Sequence, residues 1–519
     1  MNRRTFIETS AAAAGAAMFD WPVSTAFAAQ PQAQGTSGTL GISRAIGIQV
    51  GAVSFVDEGT DKVLDTLAEL AAIDTIFLAT FTYGRGIGGR QVRGSPLPDH
   101  GKQEYDDNYH GGNFATPHPQ FYKNTSIAPQ KAPDHPDYDV IADVLPRAHK
   151  RGMKVICWFE DVFRKDVPGL DKAFEVDVHG APAARVCYRN PNTLNFWLGL
   201  TEDYLRSYPV DGLMFGSERQ GPLNTAIGAS HGGGASPATV GCFCPHCLTA
   251  ARTQGINADR AREGYLALER WVDSLKGGGS DSTSGGPKSA QRPADGAFVT
   301  FWRILVEHPE VLAWERLWNE GLRDTYRAMY RKAHEIAPAK PMGWHIWHTN
   351  SFAPFYRAEQ DYRAFSEYSD FLKVVMYHNS GGPRMARYIQ NVHATLFADL
   401  TLEQTTALTY RVQQYGDEAP VDKLPTAGLS ADYVRRETRR AVAGVGEQSK
   451  TRIWPGIEID VPTGEHEKKT TPEDVYEAVK ATFEAGAHGI ILSRKYSEMR
   501  LDNLRAAGRA IRESVKVAR

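Results

Sequence analysis

Two carboxyl groups facing each other across a scissile bond can hydrolyse a glycoside: one protonates the leaving oxygen, and the other attacks the anomeric carbon or activates water. The chain offers such groups where short apolar runs end. Asp211-Gly212-Leu213-Met214-Phe215-Gly216-Ser217-Glu218-Arg219 places Glu218 just past an apolar run. Ile453-Trp454-Pro455-Gly456-Ile457-Glu458-Ile459-Asp460 places Glu458 and Asp460 two apart, which in a strand puts both on one face. Two carboxylates on an interior face are costly unless something uses or neutralises them. Glu218 is the expected acid/base. Glu458 and Asp460 compete as the second group, and the bland alternative is ion pairing with Arg or Lys. Trp158-Phe159-Glu160-Asp161 and Asp57-Glu58 also end apolar runs. Either could hold a sugar hydroxyl or complete an inverting pair, and Glu160 is the expected binder.

Other run ends carry hydrogen-bonding and stacking groups: His345, Trp347 and His348; Tyr377, His378 and Asn379; Arg494 and Lys495. Trp stacks on sugar C–H faces, while His, Asn and Tyr bond hydroxyls. Arg219 could orient a carboxylate or bind an anionic substrate. His345 and His348 lie on opposite faces of an ideal strand, so a shared metal needs a bulge. A second cluster, Cys242-Phe243-Cys244-Pro245-His246-Cys247, supplies three thiols, and Cys187 could supply a fourth. Four thiolates suit tetrahedral zinc in a closed, structural site. One disulfide plus spare thiols is the competing arrangement. Cys157 sits inside an apolar run and reads as a buried thiol.

These groups need a scaffold that brings run ends together. Eight short apolar runs alternate with amphipathic stretches: Ile46–Phe55, Thr75–Thr82, Lys154–Glu160, Gly212–Gly216, Met342–Trp347, Leu372–Tyr377, Ile453–Ile459 and Gly489–Ser493. Helical patterns between them include Lys62–Ala71, Tyr138–Arg151, Thr193–Ser207, Trp314–Ile336 and Pro472–Ala485. That order predicts parallel strands covered by helices, an α/β fold of the (β/α)8 TIM-barrel type, with the strand ends on the active face. A doubly wound sheet would show a Gly-rich phosphate turn after the first run, which is absent. The barrel is expected over 41–519, with long insertions after strands two and four at about 84–136 and 222–297. The second insertion contains the Gly/Ser-rich stretch Gly277–Gly296.

The metal pattern also resembles a known group. A Cys after strand three, an acid ending strand four, and Cys-x-Cys-x-x-Cys in the next loop look like the zinc-binding arrangement of family 42 β-galactosidases and related glycosyl-hydrolase-like barrels. The resemblance implies a retaining mechanism with catalytic glutamates ending strands four and seven, which fall on Glu218 and Glu458. Ser217-Glu218 stands where that family carries Asn-Glu, and the gap to Cys242 is longer. The wider group is therefore the closer match, and galactoside specificity does not carry over.

The first 28 residues resemble a twin-arginine export signal: Asn2-Arg3-Arg4-Thr5-Phe6-Ile7, an Ala-rich run from Ser10 to Phe19, and a small-x-small site at Ala26-Phe27-Ala28. Residues 29–40 read as a polar linker. The export machinery is thus an expected partner, and the expected destination is the periplasm or the exterior. That route carries folded proteins, which suits a metal acquired before crossing. No other run approaches the ~20 apolar residues of a membrane span, so no stable anchor is expected. The 59 Lys+Arg balance 61 Asp+Glu, which argues against a nucleic-acid footprint. The 42% apolar content excludes whole-chain disorder. No Gly-x-Ser-x-Gly elbow, Walker loop or His-Glu-x-x-His helix occurs. The competing functions are a non-catalytic carbohydrate-binding barrel and a lyase or isomerase on sugar acids that binds a carboxylate through Arg494 and Lys495. Oligomeric state stays open.

Overall fold

Apolar residues at every second strand position, interrupted by helices, force the chain into a ring of parallel strands. The computed structural model describes residues 44–84, 87–161, 165–276, 293–416 and 418–517. The expected signal and linker, and most of the Gly/Ser-rich stretch, lie outside the described residues. The ring comprises β1 (Ile46–Val50), β2 (Thr75–Thr82), β3 (Lys154–Glu160), β4 (Gly212–Gly216), β5 (Met342–Ile346), β6 (Phe371–Val374), β7 (Arg452–Ile453 and Gly456–Glu458) and β8 (Ile490–Ser493). Each pairs in parallel with its sequence neighbours. β8 closes the ring on β1 through Gly47↔Ile491. This is the expected (β/α)8 barrel.

β7 is split by Trp454-Pro455. Proline has no N–H to give the ladder, so the strand is interrupted there, although the bridge between Val375 and Gly456 keeps the second segment beside β6 as well. Its first segment pairs with β6 and its second with β8.

Side-chain alternation sorts the interior into two layers. The lower layer is an apolar plug that includes Phe77, Ile156, Trp158, Met214, Phe371, Trp454 and Ile491. Phe371 and Trp454 stack there with ring centroids 4.3 Å apart. Two residues further along the same strands, the plug gives way to Glu160, Gly216, Lys373, Gly456 and Ser493. Gln49 and His345 complete this polar layer from β1 and β5. The opposite strand faces pack into the large core beneath the helices, where Leu213, Phe215, Trp344 and Ile457 are fully buried. Caps start the covering helices: Asp139 accepts from Ile141 N and Ala142 N, and Thr471 forms a capping box with Asp474.

Several boundaries differ from the sequence expectation, among them β5 and β6, which stop at Ile346 and Val374 rather than at Trp347 and Tyr377. β1 stops at Val50, and Ala52–Glu58 is helical, so Asp57 and Glu58 do not end a strand. Asp57 instead pairs with Arg90, and Glu58 with His100. β7 stops at Glu458, and Asp460 adopts a left-handed φ of 58°. The connection after β6 carries four unanticipated helices, Gly381–His393, Leu402–Gln413, Leu424–Ala427 and Ala431–Gly444. No helix among the described residues is long and apolar enough to cross a membrane.

Candidate active site and metal centre

The polar layer meets the C-terminal mouth of the barrel. Glu218 stands two residues past β4, and its Oε1 lies 3.0 Å from His345 Nε2 on β5. The Glu218 side chain is 57% exposed, the open group of the cluster. The loop carrying it is braced from below: Tyr188 OH bonds Ser217 Oγ at 2.6 Å and also donates to Asp161. Glu160 ends β3 and is paired in register with Gly216. A Cβ at Gly216 would lie 3.5 Å from Glu160 Cγ and 3.4 Å from His345 Cβ, so these two side chains flank that glycine.

The two carboxyl groups sit in opposed electrostatic environments. Burial pushes Glu160 up, the nearby Glu218 charge adds to this, and Lys373, Arg494 and Lys495 only partly offset it; the result is about 8. Burial also acts upward on Glu218, but the His345 hydrogen bond, the Arg384 charge, and the charge that His345 and His231 take on at low pH outweigh it. Glu218 falls to about 2. His345 itself is held below its ordinary value by burial and by Lys373, so at neutral pH it is an uncharged donor to an ionised Glu218. Pairs whose values are driven apart in this way are suited to separate acid and base or nucleophile roles.

Lys373, on β6, is fully buried among these groups. Its Nζ lies 2.7 Å from Gln49 Oε1, 3.2 Å from His345 Nδ1 and 3.4 Å from Tyr377 OH. Burial lowers it to about 7. Arg384, on helix Gly381–His393, donates to His348 Nδ1 at 3.1 Å and lies 5.5 Å from the Tyr377 ring. His348 Nε2 meets Tyr433 OH at 3.0 Å. At the rim, the His231 ring sits 5.0 Å from that of Trp347, and its Nδ1 meets Thr349 Oγ1 at 2.8 Å. Sequence reasoning missed Gln49, His231, Lys373 and Arg384. A lysine inside the apolar run Phe371-Leu372-Lys373-Val374-Val375-Met376 was the one visible signal.

Several expected site residues are engaged elsewhere. Glu458 is on the interior face but fully buried. Its carboxyl accepts from Ser380 N at 2.9 Å and Ser380 Oγ at 3.2 Å, and burial raises it to about 7. Asp460 accepts from Arg500 N at 2.8 Å, Arg500 Nε at 3.0 Å and Asn503 Nδ2 at 2.8 Å. The expectation that it shares a face with Glu458 is corrected, because strand alternation ends before it. Asp460→Asn is accordingly expected to lower the melting temperature while leaving kcat near wild type; a loss of kcat matching that of Glu218→Gln would return Asp460 to the chemistry.

Arg219 also turns away from an exposed role. It bonds Val186 O at 2.7 Å and Glu175 Oε1 at 2.6 Å, beneath Tyr188 and Trp318. Arg494 is paired with Glu498, and Lys495 Nζ donates to Gly89 O at 2.7 Å. His378 and Asn379 line a separate cavity of about 410 Å³ together with Gly428, Ser430 and Asp474.

The Cys187, Cys242, Cys244 and Cys247 Sγ atoms all lie within 4.8 Å of one another and are buried. Cys187 is 3.6 Å from both Cys244 and Cys247. A disulfide needs about 2.05 Å, whereas tetrahedral Zn–S bonds of about 2.3 Å put sulfurs about 3.8 Å apart. The donor set therefore fits a four-thiolate metal with no open position. Cys187 follows the hairpin Phe174–Val176/Pro182–Val186, and Cys244 and Cys247 begin helix Pro245–Thr253. Cys157 is fully buried on β3, with its thiol pushed up by burial.

No family model matches the chain, and no curated protein matches it. Among solved structures, it is similar to a polyextremophilic β-galactosidase from the Antarctic haloarchaeon Halorubrum lacusprofundi, with TM-score 0.48 and 14% identity over 90% of this chain. It is similar to a GH42 β-galactosidase from G. stearothermophilus, with TM-score 0.46 and 11% identity over 92% of this chain. It is also similar to α-L-fucosidase isoenzyme 2 from Paenibacillus thiaminolyticus, with TM-score 0.45 and 12% identity over 92% of this chain. The chain spans 58% of the length of each β-galactosidase and 50% of the fucosidase. Resemblance this distant assigns neither activity nor substrate.

Proposed function

We propose that the protein is an exported glycoside hydrolase that cleaves a glycosidic bond with two carboxyl groups and retention of configuration. The observation that carries this reading is that two carboxyl groups stand at adjacent strand ends at the open end of the barrel, an exposed Glu218 bonded by His345 and a Glu160 beside Gly216, with burial raising Glu160 and His345 lowering Glu218. Glu218 is the nucleophile. It is ionised across the working pH range, and the His345 N–H holds one oxygen of a side chain that stays more than half exposed. Glu160 keeps its proton at neutral pH, gives it to the leaving oxygen, and then takes a proton from the attacking water.

This moves the acid role from Glu218, where strand-end reasoning placed it, to Glu160. It also takes the nucleophile role from Glu458. Glu458 is instead the buried acceptor that holds the Ser380 turn, close enough to feel the Arg384 charge. Glu458→Gln keeps an oxygen for Ser380 N–H, so its rate loss should stay within about tenfold. A loss as deep as that of Glu218→Gln would restore Glu458 as nucleophile.

Trp347 and His231 form a rim suited to stacking and hydroxyl contacts with a sugar. The four cysteines hold a structural zinc, which supplies rigidity and takes no part in bond cleavage. Export by the twin-arginine route rests on the N-terminal sequence. A panel of aryl glycosides followed by NMR of the first-formed anomer tests the whole reading. Release of the substrate's own anomer supports it; inversion, or no turnover on any member, sinks it.

A further inference from the structure

Lys373 has no role in the two-carboxylate scheme, yet the barrel is built around it. A Cβ at Gly456 would come within 2.5 Å of Lys373 Cε, so β7 leaves its side chain out at that point. When protonated, Lys373 has three N–H donors, and as the neutral amine, which a value of about 7 also populates near neutral pH, it keeps two; three acceptors lie within reach: Gln49 Oε1, His345 Nδ1 and Tyr377 OH. Gln49 Oε1 also accepts from Ser493 Oγ at 2.7 Å, which turns the amide oxygen toward the lysine. A nitrogen that accepts from Lys373 carries no proton. The imidazole proton is then on Nε2, 3.0 Å from Glu218 Oε1.

We propose that Lys373 is a positioning residue that locks His345 in its Nε2–H form and so keeps Glu218 hydrogen-bonded as a carboxylate. The arrangement links β1, β5, β6 and the loop after β4 through one buried cation. The groups facing Lys373 are Glu218, which favours its charge, Glu160, which does so once it has lost its proton, and Arg494, which opposes it. Those facing His345 are Lys373 and Arg384, which disfavour an imidazolium, and Glu218, which favours it. Removing the Lys373 charge therefore leaves Glu218 to raise the His345 pKa. The catalytic consequence rests on the glycosidase reading, but the tautomer itself does not.

The test is ¹⁵N NMR of selectively ¹⁵N-histidine-labelled full-length protein, with His345→Gln identifying the resonance. In the wild type at neutral pH, His345 is expected to show a pyridine-type Nδ1 and a pyrrole-type Nε2. In Lys373→Met, which substitutes an apolar chain of similar length in a buried position, the His345 titration midpoint should rise by about one pH unit or more. Its neutral form should become a mixture of tautomers. A wild-type His345 carrying its proton on Nδ1, or charged at neutral pH, overturns the proposal without any variant. So does an unchanged His345 titration in a folded Lys373→Met protein. If the NMR result holds but no glycoside is cleaved, the glycosidase reading fails and the lysine lock stands. If both hold, Lys373→Met should lower kcat with little change in KM, since it alters the charge and tautomer of the His345 that holds the nucleophile rather than a substrate contact.

Discussion

Glu218→Gln should reduce kcat/KM by about 10³-fold or more, which is about 4 kcal/mol of lost transition-state stabilisation. The amide keeps the side chain's shape but cannot attack the anomeric carbon. The smaller Glu218→Ala side chain leaves a space beside His345, and azide should restore turnover there with formation of the inverted glycosyl azide. Glu160→Gln should behave differently. With a poor leaving group the loss should be about 10²–10⁴-fold, as expected for a missing general acid. With an aryl glycoside whose phenol departs readily, bond cleavage should be nearly spared. The pH profile separates the two residues further. Glu160 must hold its proton, and its value is raised to about 8, so the rate should be sustained below that pH and fall as pH rises through it. Glu218 must be ionised, and its value of about 2 leaves no acid limb from this residue above pH 3. The alkaline limb near 8 should vanish in Glu160→Gln. More than a tenth of wild-type rate in Glu218→Gln, or an unchanged alkaline limb in Glu160→Gln, would contradict the assignment.

Loss of the metal should be the larger structural event. Purified protein should contain about one zinc per chain by elemental analysis, bound by Cys187, Cys242, Cys244 and Cys247. Structural zinc sites are worth roughly 10 kcal/mol or more of apparent binding free energy near neutral pH. That is comparable to the whole stability of a typical domain, so Cys244→Ser or prolonged chelation should unfold at least the segment around the hairpin. The effect should reach the active site along a definite route. Arg219 adjoins Glu218 and is tied to Val186 O and Glu175, both on the hairpin that leads into Cys187. Activity should therefore fall with the metal, even though four thiolates leave it no open position for chemistry. Mass spectrometry after alkylation under denaturing, non-reducing conditions gives the counter-test. Four modified cluster thiols are expected, and two modified with a mass lower by about two hydrogens would establish a disulfide.

The barrel was largely legible in the linear order of residues. Its determinants are local: strands show as apolar, β-branched runs, and helices as amphipathic stretches between them. Within β7 the alternation also placed Glu458 on the interior face. The Cys242-x-Cys244-x-x-Cys247 spacing is local in the same sense, and only Cys187 had to be recruited from 60 positions away. Where local geometry changed, the reading failed. Asp460 was paired with Glu458 on the assumption of continuing alternation, but the strand ended and the backbone turned left-handed. Arg219 was credited to the site because it adjoins Glu218, while its guanidinium reaches Glu175 on the hairpin.

The sequence by itself determined the strands, the face on which their ends gather, and the residue types available for chemistry there. Only the tertiary structure decided which carboxyl holds a proton. That property depends on charge and burial in space, not along the chain. Lys373 and Gln49 are 324 positions apart and 2.7 Å from each other, and His345 is 127 positions from the Glu218 it bonds. Coulomb interactions and desolvation act over those few ångströms. No spacing rule could rank Glu160 above Glu218 as the acid, because the ranking is set by the burial of Glu160 and by the His345 and Arg384 groups that act on Glu218, which the closing of the ring brings to the same mouth.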